Sequence, residues 1–159
     1  MSVNNSDQKL EDIQLVTNLV LDTVKSYIGT KNVHANLDPG AIDIITRVLD
    51  QFPQLFDKIN NSIRAVMEDG VFDANDIPTL VLMVKDVINV DKKELKKLKV
   101  TRSDAVSMLE GVLIILIEED IIKAGDKKDS MKSLLRLSVR ILEAGVDLDE
   151  TINCGWLCC

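Results

Sequence analysis

Apolar residues along this chain recur every three or four positions, the spacing of one face of an α-helix. Between Asp7 and Ile28 they fall at Leu10, Ile13, Val16, Leu19, Val20, Val24, Tyr27 and Ile28, and Gly29 is a natural stop. After the polar stretch Thr30–Leu37, Asp38-Pro39 opens a second helix. Asp is suited to the N-cap, and Pro to a first helical position whose N–H has no partner anyway. Its predicted face is Ile42, Ile45, Val48, Leu49 and Phe52, and Pro53 interrupts it. A third helix carries Leu55, Phe56, Ile59, Ile63, Val66 and Met67 and ends at Asp69-Gly70. A fourth starts near Asp73 or Asn75 and tolerates Pro78 in its first turn. It carries Ile77, Leu80, Val81, Val84, Val87 and Ile88, with Leu82 and Met83 on another side, so it is expected to be covered on much of its circumference.

Asp91–Lys99 reads as a short basic helix anchored by Leu95 and Leu98. Thr101 or Ser103 caps the next, Asp104–Ile122, with Asp104 complementing the helix dipole. Val112–Ile117 is an unbroken apolar run, which no single face can hold. A strand is the rival reading. The helical pattern around the run is longer than an ordinary strand and contains good helix formers, which decides for a helix. This helix is expected at the centre, wrapped by its neighbours. A sheet, or a deep polar cleft with converging ionisable groups beside it, would contradict that picture. Gly125 ends the pattern. Asp129 or Ser130 caps a last helix with Met131, Leu134, Leu135, Ser138, Ile141 and Leu142 on one face, closed by Gly145. The expected fold is all-α: a single-domain bundle of six or seven helices around a central apolar helix, its short connections joining antiparallel neighbours. Residues 1–145 form the bundle, and 146–159 an acidic, extended stretch followed by a cysteine-rich tail.

Composition narrows the function. The chain has 159 residues, 46% hydrophobic and 28% charged, ordinary proportions for one globular domain. Aromatics are only 3%, too few for a surface that stacks unpaired bases, and a net charge of −7 disfavours phosphate-backbone binding. His34 is the only histidine, whereas histidine-based metal sites use two or three. No secretion signal is visible and no apolar run reaches membrane length, so a cytoplasmic location is expected, with a virion as the alternative. The triplets beginning at Asn4 and Asn60 therefore read as unmodified. Nucleophile-elbow, zinc-protease, dinucleotide-binding and paired CxxC patterns are absent, and the acids Glu118-Glu119-Asp120 read as a solvent-facing helix end. The expectation is a non-enzymatic protein without cofactor, metal or small-molecule substrate.

Three features resist a purely structural reading. Around Gly70 the acids resemble half a calcium loop. With Gly70 sixth, Asp69, Asp73 and Asp76 take the fifth, ninth and twelfth positions, but Ala65 and Met67 occupy the first and third. A capped helix–turn–helix connection is the simpler account; a weak calcium-responsive module is an alternative function. The second feature is the tail: Cys154, Trp156, Leu157, Cys158 and Cys159. Three thiols in one hexapeptide are too few for structural zinc. The four-residue prenylation box fails because Trp156 holds its cysteine position. The final Cys158-Cys159 resembles the double-cysteine ends of some small GTPases. Either the tail is lipidated, making a peripheral membrane protein, or Trp156 and Leu157 dock on the bundle or a neighbouring subunit. Third, two basic stretches stand out. Lys92, Lys93, Lys96 and Lys97 lead to Lys99 and Arg102, while Lys132, Arg136 and Arg140 line one helix face behind Lys123, Lys127 and Lys128. They are solvated surface paired with nearby acids, or contacts for an acidic protein partner or a second copy.

Within Met67–Val90, the arrangement Asp69-Gly70, then Asp76-Ile77-Pro78, then Leu80-Val81-Leu82 and Val84 resembles a segment of small helical capsid-associated proteins of large icosahedral DNA viruses. That resemblance implies a virion structural or assembly role and transfers no functional residue. The leading expectation is a structural or adaptor protein acting through protein–protein contacts or self-association.

Overall fold

The computed structural model describes the backbone of residues 20–30, 37–90 and 92–155, and side chains through residue 144 apart from Val90. Seven α-helices and no strand occur among the described residues, an all-α bundle as the periodicity requires. They are α1 (residues 20–29), α2 (Pro39–Gln51), α3 (Gln54–Val66), α4 (Ile77–Val90), α5 (Lys92–Lys97), α6 (Arg102–Glu118) and α7 (Lys128–Gly155), with a 3-10 turn at Gly125–Lys127.

Local chemistry sets most boundaries. The Asp38 carboxylate accepts the Gly40 N–H at 3.0 Å and Pro39 opens α2. Pro53 does more than end that helix: it is itself the N-cap of α3, so α2 and α3 meet at a corner of two residues. Thr101 caps α6 through a reciprocal pair. The Asp104 N–H donates to Thr101 Oγ1 at 3.1 Å, and the Thr101 N–H donates to Asp104 Oδ2 at 3.0 Å. Those bonds to Thr101 hold the Asp104 carboxyl below its usual range.

α6 is the axis of the bundle. It packs against α2, α4 and α7, while α3 and α5 reach the core through α4. Every residue from Gly111 to Ile117 is buried, so the unbroken apolar run is covered on all sides. Each large side chain there contributes roughly 1.5–3 kcal/mol of transfer free energy, the largest single block of the core. α7 runs antiparallel beside it: Lys132 meets Glu118, Arg136 lies 3.6 Å from Glu110, and Ser103 donates to Glu143 at 2.6 Å.

Four expectations change. α6 ends at Glu118 rather than near Ile122, because Asp120 turns left-handed (φ 58°) and Ile122 folds back, its N–H donating to the Leu116 carbonyl at 2.9 Å. Residues 146–153 are helical rather than extended, and Gly145 does not close α7, which continues to Gly155. A glycine inside a long helix costs only about 1 kcal/mol, less than a stop requires. In α2, Ile44 is buried while Ile42 is half-buried, because α6 covers the side of α2 that carries Ala41, Ile44, Ile45 and Val48. In α4, Leu82 stays 58% exposed, so only Met83 of that pair joins the core. No described helix is long and apolar enough to cross a membrane.

Candidate interaction surfaces

α7 carries two apolar series where one face was expected. Met131, Leu135 and Val139 face α6 and α4 and are buried. Leu134, Leu137 and Ile141 stay 39%, 57% and 64% exposed, and Ala144 continues their line. At 100° per residue the two series lie roughly 120° apart around the helix. Leu134 and Ile141, predicted for the core face, therefore belong to an outer stripe, and Val139 takes an inner place. The signal lay in the two interleaved three-and-four spacings. A single broad face absorbs both, and only the position of the neighbours separates them.

The basic row of α7 turns toward α6. Lys132 bonds Glu118 and, at 2.8 Å, Asp129, and these contacts raise its pKa. Lys128 donates to the Glu118 carbonyl at 3.0 Å and pairs with Asp120 at 2.9 Å. α6 has no basic residue in its own last turn, so these two lysines supply the positive charge its C-terminus favours. Lys132 and Arg136 thus join α6 to α7 instead of forming an open contact face.

Further along the same seam a cleft of about 340 Å³ lies between α2, α6 and α7, with Glu110, Arg136, Arg140, Glu143 and Ser107 in its wall. It is a polar cleft with ionisable groups beside α6, a feature the picture of a purely wrapped central helix did not anticipate. Partial burial raises the Glu110 pKa, against the attraction of Arg136 and Arg140. Arg136 lies 3.6 Å from Glu110, and Glu143 accepts from the Ser103 hydroxyl. Gly111 forms part of the floor, where a Cβ would stand 3.3 Å from Ile45 Cδ1.

The other basic stretch is solvent-facing. Lys92, Lys93, Lys96 and Lys97 are exposed on α5, and Lys97 pairs with Glu94 at 2.7 Å. Beside them lies a second cleft, of about 360 Å³, between α5, the end of α4 and the first turn of α6.

In the Gly70 turn the carboxylates are spent on backbone. Asp69 accepts from the Val71 N–H, Asp73 from Asn75 and Asp76 from Asp73, at 3.1, 2.6 and 2.8 Å. Gly70 sits at φ 81°, which explains the glycine without a cation. Among the described residues no three His, Cys, Asp or Glu side chains converge. Asn60, acceptor of the second glycosylation triplet, is fully buried in α3. The Cys154 side chain, Trp156, Leu157, Cys158, Cys159 and His34 lie outside the described residues. Compared with protein-family models, with curated proteins and with solved structures, the chain matches none of them.

Proposed function

We propose that this is a non-enzymatic structural or adaptor protein that works through protein–protein contact, with the outer stripe of α7 as its contact surface. The observation that carries this reading is the exposure of Leu134, Leu137 and Ile141 in one line on α7, the longest helix among the described residues. Their spacing of three and four is that of a helix–helix seam, and it fits an apolar helix of a partner or of a second copy. Fully covering a Leu or Ile is worth roughly 1.5–3 kcal/mol, so a stripe of three partly exposed side chains supplies a useful share of an association energy. The resemblance of Met67–Val90 to capsid-associated proteins supports an assembly such as a virion as the setting.

Size-exclusion chromatography with light scattering tests the stripe. The expected result is a mass above the monomer, or capture of a helical partner. Either should be lost in Leu137→Glu/Ile141→Glu, with thermal stability nearly unchanged because both residues are exposed. A chain that is monomeric and captures nothing, with or without the two substitutions, would sink the proposal.

A further inference from the structure

The cleft beside α5 is independent of the α7 stripe. Its floor is apolar, made by Ile88, Leu95, Val100 and Ala105, and its rim carries Lys92, Lys96 and Arg102. We propose that it binds a small anion-headed amphiphile: a carboxylate or phosphate monoester on one short hydrocarbon body.

Charge comes first. In a chain of net charge −7, three cationic side chains from two helices border one concavity. Glu94 pairs with Lys97, and Asp104 accepts the Thr101 N–H in the α6 cap. Lys92 and Lys96, one helical turn apart on α5, make no ion pair among the described residues. An oxyanion between them gains charge-assisted hydrogen bonds that none of the described neighbours provides.

The floor decides what else the ligand carries. Leu95 and Val100 are held together by the turn that ends α5, where the Val100 N–H donates to the Leu95 carbonyl at 2.9 Å. Their apolar surfaces line a cleft of about 360 Å³, at the small end of ligand sites. At about 30 Å³ per heavy atom, the share of one liquid water, that is room for about a dozen atoms. A headgroup with a chain of about eight carbons meets that limit, and a bare phosphate leaves the floor wet. None of the described residues lining the cleft is aromatic, so a nucleobase finds no ring among them to stack on.

The test is titration of the full chain, followed by amide chemical shifts, with octanoate, octyl phosphate, inorganic phosphate and octyl glucoside, each below micelle-forming concentration. Octanoate and octyl phosphate should shift Leu95, Val100 and Ala105 saturably. Inorganic phosphate and octyl glucoside should bind about tenfold or more weakly, since each lacks one half of the recognition. Lys92→Gln and Lys96→Gln should each weaken the anionic amphiphiles about threefold, the scale of an exposed charge contact. Asn89→Trp, which fills the exposed mouth with the lysines intact, should abolish binding. Equal affinity for octyl glucoside, equal affinity for bare phosphate, or indifference to both lysine changes would overturn the proposal. So would shifts confined to Leu134, Leu137 and Ile141, which would place the ligand on the α7 stripe.

Discussion

Lys99 holds a left-handed backbone, φ 56°, at the end of α5. The turn around it is the double hydrogen bond that commonly ends helices: Val100 donates to the Leu95 carbonyl and Lys99 to that of Lys96, at 2.9 and 3.1 Å. Glycine is the usual residue there because it meets no Cβ penalty, which for other residues is about 1–2 kcal/mol. Burial of Leu95 and Val100 on either side of the turn offsets that cost. Lys99→Gly is therefore expected to stabilise the protein by about 0.5–1 kcal/mol after the added freedom of the unfolded chain is counted, read as a higher urea midpoint. An unchanged or lower midpoint would show that the lysine side chain offsets its backbone cost. This turn was not legible beforehand, since lysine carries no signal for a left-handed backbone. The α6 cap was legible as Thr101 or Ser103, and the reciprocal bonds between Thr101 and Asp104 decide for Thr101.

Among the elements, α2 and α6 approach closely at Gly111. Leu37 Cδ2 and Ala41 Cβ would lie 3.6 and 3.8 Å from a Cβ there, beyond the tighter contact with Ile45. Gly111→Leu should push α2 outward and cost about 1–3 kcal/mol, the range for overpacked cores. Gly111→Ala, with its better helix propensity, should fall well short of that loss. Denaturant melts of the two variants make the comparison, and equal destabilisation would refute a steric cause. The helices themselves were largely readable from apolar spacing, and so was the burial of Val112–Ile117. Their neighbours were not. Leu134 and Ile141 share a spacing with Leu135 and Leu142, and only the placement of α4 and α6 turns one pair of positions outward. The row of Lys132 and Arg136 looked open because its partners, Glu118 and Glu110, lie on another helix.

For the molecule as a whole, acidification acts on Asp104 and Glu110 in opposite directions. Bonds to Thr101 lower the Asp104 pKa in the folded state, so its stabilisation is present above the ordinary value of 3.8 and is lost as pH falls. Burial raises the Glu110 pKa above the ordinary 4.5, so the folded state retains that proton longer. Its contribution is complete below 4.5 and is lost as pH rises through the folded value. Glu110→Gln removes the charged form altogether. The variant is expected to be at least as stable as the parent at pH 7, with a margin that shrinks as pH approaches 4. Thermal melts at both pH values measure this, and a margin that widens on acidification would show that the ion pair with Arg136 outweighs burial.

Sequence alone determined the class and the axis of this protein. A three-and-four apolar spacing gives a helix one face to bury, which selects helix over strand, and an unbroken apolar run long enough to be helical is stable only when covered all round. Tertiary structure alone decided which charges are spent within the chain and which apolar residues remain on the outside. Both depend on distances between residues far apart in sequence, and local spacing carries no record of them.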